Sequence, residues 1–190
     1  MQLLIPTATP HRFTVAEYMA LEIAERTELL EGVIYDVSPR NEAHRRAIRE
    51  LSRALIPGLL GSGYVVQTEN AVAVPEWQGR DAPEIDVAVL ADKVYRPGPT
   101  AADAFAFFEV SHTTYALDRK YKIPLYVSAG VPSWIVNIPL RQVEFYGSPR
   151  DLEREHGHTF SERDTFEILG IAIPVAALFD QCDRPDSESA

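Results

Sequence analysis

The chain has 190 residues with 46% hydrophobic and 24% charged side chains, a balance that excludes intrinsic disorder and supplies one core without disulfides or a structural metal. Its 28 acidic against 18 basic residues leave a net charge of −10, which argues against a generic polyanion binder. The single cysteine, Cys182, excludes a cysteine-rich zinc site and fits a reducing compartment; with no apolar run of spanning length and no secretory pattern in Met1–Pro10, the expected location is the cytoplasm, off the membrane.

In chain order, Thr14 followed by Glu17 has capping-box spacing and opens a short amphipathic helix carried by Val15, Tyr18, Met19 and Leu21. Glu28–Tyr35 (ELLEGVIY) alternates imperfectly, breaks at Ser38-Pro39 and reads as one strand. Across Asn41–Leu60, His44, Ile48, Leu51 and Leu55 recur at helical spacing, while Arg45, Arg46, Arg49 and Arg53 fall on the opposite, basic face. Gly61-Ser62-Gly63 ends this helix, and Tyr64–Val74 alternates as a strand. Ile85–Leu90 and Ala104–Val110 are short, nearly unbroken apolar runs of the kind that forms strands buried on both faces. Tyr115–Ala129 reads as a helix closed by Gly130, with Pro124 as a kink or first-turn residue. Trp134–Asn137 and Gln142–Tyr146 form a hairpin, followed by a loop at His156-Gly157-His158, a strand near Thr165–Ile168 and a helical turn near Val175–Phe179. The expected architecture is an α/β mixed sheet flanked by helices, a single domain over residues 1–180 with an acidic flexible tail over 181–190.

Phosphate-loop, nucleophile-elbow and HExxH motifs are all absent from the sequence. The chemistry lies instead in Asp86 and Glu109, because a carboxylate inside an apolar strand costs several kcal/mol unless it is paired or bound to a cation. On neighbouring strands the two would converge on a hard divalent ion; at a sheet end they would meet water or an arginine. Asp118, Lys122 and Tyr126 recur at helical spacing just after Glu109 and would share one face. Lys122 then either leans toward a metal or forms an exposed pair with Asp118.

The stretch from PEIDVAVL through FFEVSHTTYALDRKYKIPLYVSAGVPSWIV, with TELLEGVIYDVSPRNEAH upstream, resembles the Uma2 family of endonucleases, formerly a domain of unknown function, in the PD-(D/E)XK restriction-endonuclease-like superfamily. The resemblance runs from about Phe13 to Phe179 and implies a restriction-endonuclease-like core. It implies that Asp86 and Glu109 bind metal, that Lys122 is the family's lysine displaced into the following helix from the usual place, here Ser111, and that Glu28 is a further acid of the site. His44 matches a histidine of the long helix and is either a core or a site residue; Tyr126 lies one helical step beyond Lys122. Ile85 stands where a proline commonly precedes the aspartate, and the SWIVN segment is one residue shorter than the family's, a change expected to shift strand register.

The function implied is Mg²⁺-dependent hydrolysis of phosphodiesters in DNA, with Mn²⁺ as a substitute ion. Arg45, Arg49, Arg53 and Arg119 offer the concentrated basic surface for nucleic acid, and a homodimer would pool two such faces. The rival readings are a catalytically silent nuclease-fold binding or regulatory module, and a metal-dependent hydrolase of small phosphoesters.

Overall fold

The computed structural model describes residues 10–21, 23, 26–37, 41–74, 79–96, 98–154 and 157–180. The Ser38-Pro39 break, His156, Cys182 and the 181–190 tail lie outside them. Among the described residues no helix is long and apolar enough to cross a membrane.

Helix α1 (Val15–Ala20) starts on the expected capping box, with Glu17 N donating to Thr14 Oγ1 and Thr14 N to Glu17 Oε2. The next segment is two strands and not one: β1 (Thr27–Leu30) and β2 (Val33–Asp36) form an antiparallel hairpin. Glu31 and Gly32 both take positive φ, 49° and 74°, which gives the two-residue turn whose twist suits a hairpin. Gly32 is required there, because a Cβ would stand 2.9 Å from the Phe13 carbonyl oxygen. Leu29 and Ala82 exchange backbone hydrogen bonds, so the hairpin is tied to the chain just before the central sheet.

Helix α2 (Glu42–Leu59) is capped by Asn41, whose side chain accepts from His44 N. The six-stranded sheet has the order β3 (Tyr64–Ala71), β4 (Glu84–Ala91), β5 (Ala104–Ser111), β6 (Ser133–Asn137), β7 (Gln142–Tyr146), β8 (His158–Ser161). All neighbours are antiparallel except β5 and β6, whose parallel pairing requires the helical crossover between them. That crossover is not one uniform helix. A first turn, α3 (Tyr115–Leu117), passes into a π-helical turn over Asp118–Lys122 and then into α4 (Ile123–Ser128). Pro124 falls in the first turn of α4, where a missing N–H is tolerated.

Alternation along β4 and β5 divides the core between two faces. Leu51, Leu55 and Leu59 of α2 pack with Val87, Val89, Phe108 and Trp134 on one, together with Phe179 from α5 (Val175–Phe179). Ile123, Leu125 and Tyr126 cover Ala88, Leu90, Phe107 and Ile135 on the other. The small hairpin β9 (Thr165–Ile168) and β10 (Ile171–Pro174) adds Phe166 and Ile173 to the first core. Two sequence expectations change here. His158 opens an edge strand and not a loop. The short SWIVN segment causes no register slip, since β6 pairs without interruption on both sides and Asn137 Oδ1 accepts from Leu140 N in the hairpin turn.

Candidate active site

The site forms where the β4–β5 ladder stops. The last paired residues are Val87 and Phe108, one step before Asp86 and Glu109. There the Val110 N–H donates to Asp86 Oδ2 at 2.7 Å. A side chain thus takes a backbone donor and is itself held in place. The N-terminal turn of α2 brings His44 Nε2 to 3.4 Å from Asp86 Oδ1; this ring nitrogen is buried and has no hydrogen-bond partner.

Glu109 is 2% exposed. Its Oε1 accepts from the Tyr126 hydroxyl at 2.6 Å, and Lys122 Nζ lies 3.5 Å from its Oε2. Burial pushes the Glu109 carboxyl well above its usual range, against the pull of the Lys122 charge, and repulsion from Asp86 and Asp118 adds to the rise. Lys122 Nζ also donates to the Glu84 carbonyl and lies 3.0 Å from Glu28 Oε2. Glu28 arrives from β1 through the Leu29–Ala82 tie, and its carboxylate accepts from Glu84 N at 3.4 Å. The reading of Lys122 as half of an exposed pair does not hold, because both Asp118 and Lys122 are buried.

Ser111, where the usual lysine would stand, is fully buried and donates to Asp118 Oδ2 at 2.5 Å, while Thr114 donates to the same oxygen at 2.7 Å. Asp118 thereby anchors the π-turn to the end of β5, and the widened turn sends Lys122 back toward Glu109. The result is one cleft of about 200 Å³ whose walls include Glu28, His44, Asp86, Glu109, Asp118 and Lys122.

Structure thus gathers Asp86, Glu109, Lys122, Glu28 and His44, with Tyr126 behind Glu109. It does not gather the arginines. Arg45 and Arg46 pair with Glu42, and Arg49 and Arg53 with Glu50, all along α2. Arg119 is committed elsewhere: it donates to the carbonyls of Leu152 and Arg154 and lies over the Tyr146 ring. Glu84 and Asp36 also line the cleft and were missed by sequence reasoning. For Glu84 the signal was available, since it stands two residues before Asp86 on the same strand face.

The donor set suits a hard divalent cation. Asp86 and Glu109 face one cleft beside the buried His44 imidazole, whose Nε2 makes no hydrogen bond and lies 3.4 Å from Asp86 Oδ1. Among the described residues no group of three or more His, Cys, Asp or Glu side chains is arranged to hold a metal alone.

No curated protein matches the chain. A crystal structure from Anabaena variabilis ATCC 29413, described as "a putative nuclease belonging to DUF820", is similar with a TM-score of 0.67 over 90% of this chain and 99% of that one. At 13% identity this likeness shows a shared fold. Residues 15–176 match the model of the Uma2 family, described as "Putative restriction endonuclease", and the chain therefore belongs to the Uma2 family.

Proposed function

We propose that the protein is a cytoplasmic, metal-dependent nuclease that hydrolyses phosphodiester bonds in DNA, with Asp86, Glu109, Lys122 and Glu28 as its working residues. The observation that carries this reading is the buried Lys122 ammonium, held by Glu28 and Glu109 in a cleft wall that also contains Asp86. Desolvating that many charges costs stability, and such a cost is characteristic of a site kept for chemistry.

Asp86 and Glu109 would hold Mg²⁺, or Mn²⁺ in its place, and such an ion would supply polarisation of a phosphate and a lowered pKa for an attacking water. Burial alone would lower the Lys122 pKa, but the charges of Glu109, Glu28, Asp118 and Asp86 outweigh it and raise the value. The surrounding acids thus favour the ammonium form of Lys122, which suits a hydrogen-bond donor. Its Nζ donates to a phosphate oxygen or orients the attacking water as negative charge builds. The Tyr126 hydroxyl fixes Glu109, and the Val110 N–H fixes Asp86, so neither carboxylate has to reorganise during the reaction.

Substrate approach is weak at long range in a chain of net charge −10. The α2 arginines are held by neighbouring glutamates, so phosphate contact requires an exchange of partners, and a dimer would pool two such faces. A silent binding module is the second reading, favoured by the partners that both Glu109 oxygens already have inside the chain.

Cleavage of supercoiled plasmid and of a nucleotide panel, with and without Mg²⁺ or Mn²⁺, separates these readings. Nicking that needs the ion, without turnover of nucleotides, is the expected result. Calorimetry on Asp86→Asn should show cation binding at least about tenfold weaker, roughly 1.4 kcal/mol. Unchanged binding in a folded variant would sink the assignment.

A further inference from the structure

Beside the cleft lies a second hollow of about 390 Å³, within the range of small-molecule sites, walled by Leu30, Tyr35, Leu117 and Tyr121. Three residues, Glu28, Asp36 and Leu117, line both spaces, so the hollow continues the candidate active site. We propose that it is a nucleobase subsite, which receives an unpaired base of the DNA strand whose phosphate lies in the cleft. The inference rests on the nuclease reading and adds the form of substrate.

Leu30, Tyr35, Leu117 and Tyr121 supply the hydrophobic part of the lining. Tyr35 is 50% exposed and Leu117 41% exposed, so each presents hydrophobic surface that the chain itself leaves uncovered. Tyr121 is fixed from behind, because its hydroxyl donates to the buried Asp81 at 2.8 Å. Asp81 also accepts from Glu31 N and so locks the β1–β2 turn to this wall. A rigid aromatic face beside a half-exposed tyrosine is the arrangement on which bases stack.

Charge selects what can enter. The hollow is lined by Glu28, Glu31 and Asp36, and among the described residues its lining holds neither lysine nor arginine. A phosphate is repelled there, whereas an uncharged ring bearing N–H donors is attracted. Cytosine, adenine and guanine carry exocyclic amines whose N–H groups a carboxylate can accept; thymine has no such amine and offers only its ring N3–H. Pairing occupies one N–H of each amine and leaves the other in a groove, but the ring face is free only when the base is unstacked, and only an unpaired base can turn into the hollow. The substrate form that fits is accordingly a single strand, a flap or a frayed end.

Equilibrium binding of fluorescent DNA decamers, oligo(dC), oligo(dT) and a blunt duplex, measured by anisotropy with Ca²⁺ present, tests the subsite apart from catalysis. Oligo(dC) should bind tighter than oligo(dT), and both tighter than duplex. Tyr35→Ala should weaken oligo(dC) binding at least about fivefold, the low end of a lost stacking contact, while Tyr35→Phe keeps it. Glu31→Gln and Asp36→Asn should narrow the gap between dC and dT. Thermal melts establish that each variant is folded. Duplex binding equal to single-strand binding, unchanged affinity in folded Tyr35→Ala, or no decamer binding at all would overturn the subsite, even if duplex plasmid is cut. Failure of the nuclease reading looks different: no product from any substrate with Mg²⁺ or Mn²⁺, while the dC preference and its dependence on Tyr35 persist.

Discussion

Two clusters of buried carboxylate sit on the same sheet and differ in what completes them. Around Glu144 of β7, fully buried, three neutral groups donate: the Tyr146 hydroxyl at 2.6 Å, the Tyr115 hydroxyl at 3.1 Å and the Gln142 amide at 3.0 Å. Around Glu109 of β5 one neutral donor, the Tyr126 hydroxyl, is joined by charges, with Lys122, Asp86 and Asp118 close enough to move its pKa, and the group opens on a cleft. The Glu144 carboxylate does not line that cleft. Burial of an acid in an apolar strand is therefore common to both, and only the second cluster has an open side toward which like charges face. Hydrogen-bonded completion makes the first a brace between β7 and α3; the open side of the second is what the proposed cation site requires.

The largest effect expected from breaking this contrast is at Lys122. Lys122→Met leaves Glu28 and Glu109 without their shared ammonium, which should cost about 3 kcal/mol in a denaturant melt. Turnover should fall by roughly a hundredfold or more, as when other preorganised electrostatic groups are lost. Cation binding should survive, since a positive neighbour has gone. A Lys122→Met protein that cuts at the wild-type rate would refute the role.

A second, smaller effect is the pH dependence of cation binding. The folded-state pKa of Glu109 is raised above the ordinary carboxylate value by burial, so its contribution to stability is present below the unfolded pKa and lost as pH rises through the folded one. Cation binding has the opposite sign because it needs the ionised form. Affinity should fall by about tenfold per pH unit on the acid side of that raised pKa, an onset above the usual carboxylate range. Calorimetric Mn²⁺ titrations across mildly acidic to neutral pH measure this; Glu109→Gln should bind weakly with that pH dependence removed, and a wild-type affinity flat over the same span would contradict it.

Glu144→Gln sharpens the comparison from the other side and should do least to chemistry. Its amide cannot accept from all three donors at once, so the cost should be about 1–3 kcal/mol of stability. The turnover of the folded fraction should equal that of the wild type. A large loss of turnover at full folding would mean that Glu144 belongs with the site after all.

Much of this was legible in the residues. The capping box at Thr14 and Glu17, the apolar stripe of α2 and the boundaries of β9 and α5 follow local rules, and the structure keeps them. Asp86 and Glu109 were conspicuous because an acid in an apolar run demands a partner. Missed features depend on longer range. The Glu31-Gly32 turn splits one expected strand in two, and the edge strand at His158 exists because β7 offers it a ladder. Arg119 looks like a surface cation in the sequence and becomes a brace through carbonyls more than thirty positions away.

By itself the sequence determined which residues carry charge inside apolar segments, and hence where a cation or a counter-ion was needed. Only the tertiary structure decided which partner each charge received. The ladder ends at Val87 and Phe108, the hairpin tie delivers Glu28, and the π-turn anchored by Ser111 and Asp118 returns Lys122 to Glu109. Local periodicity can put Lys122 and Asp118 on one face, yet the difference between an exposed pair and a buried ammonium is set by desolvation and by charges contributed from four separate elements, which no local spacing contains.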